Sequence, residues 1–339
     1  MKKKHGIFDY KEKILLAFIL YCWVRELFGY CMGVGINTLL PALYYTFSFL
    51  LFVSVRRYMN NEDKMRLLYF GLMISLVISM ISIYLFGLNI NEEVNAVRSV
   101  GTYNNPNQLG YYSVILISIA SYGLIRKIIN LSVYLVFFFG AIILCIMSLS
   151  KAAIISVMSL VIVYVIIFLK ERKLNIISGN KYIYAILMLG FIMIYNINNI
   201  KSINYEDLAI YKRFYYMFDE KDTDMKERGY GVFSQASAEE MLFGISSEGV
   251  ISRHGAEVHS TFMSPITSYG IIGGGMFCAF FVTLIIGVAD RYGIKNAIIL
   301  FLPVILYGIS HNGTRFSAFW LFLSVMFVSA NNKKIINMT

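Results

Sequence analysis

Residues 131–149 read LSVYLVFFFGAIILCIMSL, nineteen positions without one charged side chain. A helix of about 20 residues, rising about 1.5 Å per residue, spans a bilayer core of about 30 Å, so this stretch has the length of one membrane pass. Arg126 and Lys127 stand before it and Lys151 follows it. Similar runs lie near 14–34, 36–55, 67–87, 108–125, 152–169, 182–198, 262–288, 297–310 and 315–330, which makes ten expected spans. Membrane β-strands would instead appear as short alternating segments, and the chain has none. The expected fold is all-α, a polytopic integral membrane bundle forming a single domain over 1–339.

Composition agrees. The chain has 339 residues, 58% hydrophobic and only 15% charged, where soluble domains carry about 25% charged residues. The net charge of +10 is not read as a nucleic-acid surface, because Lys and Arg collect at the ends of apolar runs, where they set topology. Cys22, Cys31, Cys145 and Cys278 lie in or beside apolar runs, without metal or redox spacing, and behave as small apolar residues. The basic start precedes a run that carries Arg25–Glu26 and lacks a small-residue cleavage site, so it reads as a retained first helix.

Orientation follows from charge. With the N-terminus inside and the spans alternating, the inside segments hold Lys2, Lys3, Lys4, Lys11 and Lys13; Arg56, Arg57, Lys64 and Arg66; Arg126 and Lys127; Lys170, Arg172, Lys173 and Lys181; Arg291 and Lys295; and Lys333 and Lys334. The short outside loops hold only Arg98, Lys151 and Arg315. This is the positive-inside pattern, with both termini cytoplasmic. Two outer segments have room for a site, 88–107 and the large hydrophilic stretch 199–261. In the second, Leu208, Tyr211, Tyr215 and Phe218 share one helical face, suited either to the membrane interface or to packing on the loop. Asp224 and Glu227 have capping-box spacing, which would start a helix carrying Arg228.

The polar residues that could carry chemistry lie outside the spans. Arg98 precedes the turn Gly101-Thr-Tyr-Asn-Asn-Pro106-Asn107, where Asn104, Asn105 or Pro106 opens the next helix. Ser148-Leu-Ser-Lys151 is a tight outer turn with a lone cation, which also fits a snorkelling lysine. His254, Glu257 and His259 lack the zinc-protease spacing, and no metal is expected. His259 alone is suited to general-base work near neutrality. Asp222-Thr-Asp224 is read as solvated charge. Gly270-Ile-Ile-Gly-Gly-Gly275 follows no strand and is read as helix packing rather than a phosphate loop. Arg25–Glu26 is an intramembrane pair, bonded mutually or to another helix. His311 and Arg315 flank Gly313 at the outer end of the last spans and could join the same outer site.

Over roughly residues 95–290 the chain resembles the O-antigen ligase/polymerase family of bacterial surface-polysaccharide assembly. The resemblance rests on four pieces in order: Arg98 with Gly101-Thr-Tyr-Asn-Asn-Pro106-Asn107; Ser148-Leu-Ser-Lys151-Ala; Arg228 followed by Leu242-Phe-Gly-Ile245; and His259-Ser-Thr-Phe with Tyr269-Gly-Ile-Ile-Gly273. Lys151 stands where the family has Arg, which removes a bidentate phosphate fork, and Ser260 stands where it has Asn. Arg213 competes with Arg228 for the loop cation. The resemblance implies a bundle similar to membrane glycosyltransferases of the GT-C type, in the bacterial inner membrane, with the site facing the periplasm or exterior. It implies transfer of a glycan from an undecaprenyl-diphosphate carrier, metal-independent and inverting, without a cofactor. Arg98 and Arg228 would neutralise the diphosphate and His259 would take the acceptor proton. Lys151, Arg213, Asn107, Arg253, His311 and Arg315 are the expected substrate-binding residues. Expected partners are the lipid-linked oligosaccharide, membrane lipid, a chain-length regulator and a flippase, but not nucleic acid.

A polymerase that joins lipid-linked repeat units is the first reading. A ligase that delivers finished glycan to lipid A core or protein is its rival within the class. A flippase is the rival of another class, though it would spread ionisable residues through the spans.

Overall fold

The computed structural model describes residues 8–33, 35–59, 61–86, 89–91, 96–171, 230–255 and 257–331. The helices are α1 (Tyr10–Cys31), α2 (Leu40–Tyr58, entered through a 3-10 turn at Ile36–Leu39), α3 (Glu62–Phe86), α4 (Pro106–Ile125), α5 (Leu131–Ser148) and α6 (Lys151–Glu171). The described residues from 230 on begin with three short helices, α7 (Gly231–Ser234), α8 (Ala238–Phe243) and α9 (Ser247–His254). The chain then returns to the bundle with α10 (Met263–Tyr292), α11 (Ile294–Ser310) and α12 (Ser317–Asn331). Among the described residues, six helical segments, including the α2 segment counted from Ile36, are long and apolar enough to cross a membrane, and α6, α11 and α12 are shorter apolar helices at expected spans. The span expected at 182–198, the aromatic face at 208–218, the capping box at 224–227, Arg213 and Arg228 all lie outside the described residues.

Helix starts follow local chemistry. Asp9 and Glu12 form a capping box on α1. The Asn105 side chain accepts from the Gln108 N–H at 2.9 Å, and Pro106 takes the first helical position of α4. Asn130 caps α5 in the same way through Val133. These side chains satisfy backbone donors that the first helical turn leaves open. The turn between α5 and α6 is made by Leu149 in the left-handed conformation, at φ 48°.

α4 is the central helix and is buried along most of its length. Gly110 lies against Ser150 and Ala153, and Gly123 against the Tyr69 ring. Ser113, Ser118 and Ser121 return their hydroxyls to carbonyls one turn back. Small residues and internally satisfied hydroxyls let neighbours approach from all sides, as membrane helices require. Aromatic rings fill the rest of the core, with Phe18, Phe277, Phe280 and Trp320 wholly buried.

Two features depart from the expected plan. The outer segment 88–107 contains a small antiparallel strand pair, β1 (Asn89–Asn91) and β2 (Ala96–Arg98), in which Asn89 faces Arg98. Strands of three residues are too short to show a two-residue period in a sequence. The second is a break inside α10. Gly270 has φ 68° and ψ −175°, and the Leu242 carbonyl lies 2.2 Å from where its Cβ would be. Gly244, at φ 87°, presses from the other side, its absent Cβ 2.2 Å from the Ser268 carbonyl. The Ile245 and Ser246 N–H groups donate to the Thr267 and Ser268 carbonyls at 3.1 and 2.9 Å. The break therefore leaves these two carbonyls satisfied by the loop. The glycine run does permit close packing, but Gly270 serves a docked loop rather than a straight helix.

Candidate functional site

Four turns meet at the end of the bundle where α4 and α10 begin. The Ser99 N–H donates to the Met147 carbonyl at 2.9 Å, tying the end of β2 to the end of α5. Tyr307, on the last turn of α11, donates its hydroxyl to the Asn107 carbonyl. Ser260 and Thr261 are buried. The Thr261 N–H reaches the Gly308 carbonyl at 2.7 Å, and its hydroxyl reaches the His311 carbonyl at 2.8 Å. The same hydroxyl accepts from the Gly313 N–H at 2.8 Å. The turn after α11 is closed by Asn312, whose side-chain oxygen accepts from the Thr314 N–H and hydroxyl at 3.0 and 2.7 Å.

Between these turns lies a cavity of about 240 Å³, lined among others by Asn107, Gln108, Glu257, His259, His311 and Arg315. Val258 and Ser260 point inward while His259 is exposed. Alternation in an extended segment thus presents the imidazole to the cavity while its neighbours fix the backbone. One wall is aromatic. Tyr111 and Tyr307 stack at 4.4 Å with an interplanar angle of 10°, and Tyr307 stacks on His311 at 4.8 Å. Arg315 pairs with Glu257 and lies over the Tyr44 ring at 5.3 Å.

The cavity brings together four of the expected residues, His259, Asn107, His311 and Arg315. Arg98 ends β2 beside the α5 terminus, and Lys151 opens α6 across the Leu149 turn. Among the described side chains, that of Lys151 is not part of the cavity lining, and that of Arg98 lies outside what the structure describes. Arg253 is placed elsewhere, on α9, where it pairs with Glu240. The Arg253 hydrogen bond, then the Ser237 backbone, pull the Glu240 carboxyl down to about 2, and the same contact pushes the Arg253 guanidinium up. Arg25 donates to the Gly244 carbonyl at 2.7 Å and Tyr21 to the Phe243 carbonyl at 3.1 Å. The intramembrane arginine therefore anchors the loop that leads into the site.

Sequence reasoning missed Gln108, Tyr307, Asn312 and the pairing of Glu257. Tyr307 carried a readable signal, since it lies four residues before His311 and so on the same helical side. The pairing of Glu257 with Arg315 joins segments 58 residues apart, which no local pattern encodes.

The architecture is that of a multi-pass helical membrane protein with a polar cavity at one end. Compared with known proteins, the chain matches no family model and no curated sequence.

Proposed function

We propose that the chain is a glycosyltransferase of surface-polysaccharide assembly, a polymerase that transfers a glycan from an undecaprenyl-diphosphate carrier onto a hydroxyl of another lipid-linked repeat unit. The observation that carries this reading is one cavity that holds together an exposed histidine, an arginine, side-chain amides and an aromatic wall at one end of an apolar bundle. Amides and rings suit sugar hydroxyls and faces, and a guanidinium suits a phosphate.

The acceptor hydroxyl oxygen attacks the anomeric carbon and a new C–O bond forms. The bond from that carbon to the diphosphate oxygen breaks, and the diphosphate leaves with the electron pair. His259 takes the hydroxyl proton. Cations beside the leaving group offset its growing charge, a role for Arg315 in the cavity and for Arg98 and Arg228 from the outer segments. The charge pattern supports both termini being cytoplasmic in a bacterial inner membrane, with the cavity facing outward.

The test is complementation of a deletion strain with wild type or His259→Ala at matched membrane levels, with the surface polysaccharide resolved on a gel. A ladder from wild type and single-repeat bands from the variant support the polymerase. Long lipid-linked chains without transfer to an acceptor indicate a ligase. A normal ladder from His259→Ala sinks the mechanism.

A further inference from the structure

Arg315 borders two cavities. One is the 240 Å³ chamber that holds His259. The other, of about 10 Å³, lies towards the outer end of α2 and is lined by Pro41, Tyr44, Tyr45, Ser247 and Ser264. Asn312 and Arg315 belong to both. The guanidinium thus stands as a partition between the chamber and α2. On the α2 side, Leu40, Leu43, Tyr44 and Phe47 are all exposed and recur at helical spacing. An exposed apolar face on a membrane bundle is a face for lipid.

On the chamber side the guanidinium is paired with Glu257, and both side chains are more than a third exposed, at 39% and 36%. A pair this exposed contributes little net stability, because water competes for both charges. A phosphate offers more charge and a bidentate geometry, so it competes well for an arginine held this way. Arg315 keeps its place when Glu257 is displaced, because the Tyr44 ring supports it from beneath.

We propose that Glu257 is the resting counter-ion of Arg315, displaced when the phosphate of an isoprenoid diphosphate arrives across the Leu40–Tyr44–Phe47 face. The isoprenoid identity of that anion rests on the functional reading above; the counter-ion role rests on the geometry alone. Glu257 is then a positioning residue. It holds the guanidinium at the mouth of the chamber and keeps other anions off it until the lipid arrives.

The experiment uses the full chain in nanodiscs, with farnesyl diphosphate and inorganic pyrophosphate as probes and affinity read by titration. Removing the competitor by Glu257→Gln should tighten farnesyl diphosphate binding about three- to fivefold, the size of an exposed pair. Glu257→Asp should keep the wild-type affinity, and Arg315→Gln should weaken binding at least about tenfold. Unchanged or weaker binding by Glu257→Gln, or wild-type binding by Arg315→Gln, overturns the proposal. Pyrophosphate binding as tight as farnesyl diphosphate overturns the lipid entry. The Glu257→Gln gain should persist on a His259→Ala background. A failed counter-ion and a failed transfer mechanism therefore give different results.

Discussion

The two ends of the bundle use their cations differently. At the end where α1 starts, Arg56 pairs with buried Glu12 at 2.9 Å and lies over the Phe327 ring at 4.8 Å. Arg126 donates to the Tyr292 hydroxyl at 2.8 Å, Arg291 donates to the Ser329 carbonyl at 3.2 Å, and Lys64 lies over Tyr58. These cations close gaps between helix ends. At the other end Arg315 meets Glu257 at the edge of a cavity, beside His259. Both arginines lie over a ring, but the acid paired with Arg56 is fully buried, whereas the one paired with Arg315 is 36% exposed and open to water. Basic residues thus join helix ends at one end of the bundle and border a cavity at the other.

That contrast breaks if substitutions at the two ends have similar effects. His259→Ala should lower glycan transfer by about 10²- to 10⁴-fold, the usual contribution of a positioned base. Its thermal midpoint in detergent should stay at the wild-type value, because the side chain is exposed. Arg56→Ala should do the opposite. It strands Glu12, whose side chain is fully buried, and should cost about 3 kcal/mol of stability. Per correctly folded molecule, transfer should be unaffected.

Within the site end, the loop dock can be separated from the cavity. Gly244→Ala places a methyl group 2.2 Å from the Ser268 carbonyl at a φ of 87°, and should cost about 2–3 kcal/mol, read as a lower melting point. Gly275→Ala is the control, since nothing lies within 4 Å of that position. Asn105→Ala removes the α4 cap and should cost about 1 kcal/mol.

The smallest effect concerns pH. Glu240 is held at about 2 by Arg253 and the Ser237 backbone, below its ordinary value near 4.5. A depressed carboxyl adds stability above its unfolded value and loses it as the pH falls towards 2. The pair is exposed, so the gain is within about 1 kcal/mol. The melting-point gap between wild type and Glu240→Gln should be present at pH 6 and shrink by pH 3. A gap of constant size would show that Glu240 acts through packing instead.

Much of the scaffold was legible in the sequence. Asn104, Asn105 or Pro106 was expected to open the next helix, and Asn105 caps α4 with Pro106 first in it; Ser148–Lys151 announced a tight turn. His259, which lines the cavity, was legible as a polar residue outside the spans. The strand pair at 89–98, the break at Gly270 and the pairing of Arg253 with Glu240 were not. The first is too short for a period to show. The second depends on a loop backbone arriving from elsewhere. In the third, an arginine near the histidine in sequence turns its charge to a different carboxylate.

Runs of about 20 apolar residues determine that the chain crosses a membrane as helices, because a helix satisfies its backbone polar groups within its own segment. Cap residues determine where several of those helices begin, because capping is local. Which polar groups share a chamber was decided only by the folded chain. Residues 105–108, 257–259 and 307–316 converge because Gly308 lies against Thr261 and Phe262, and Gly313 against the Tyr111 ring. A contact of that kind depends on both partners at once, and neither segment carries it alone.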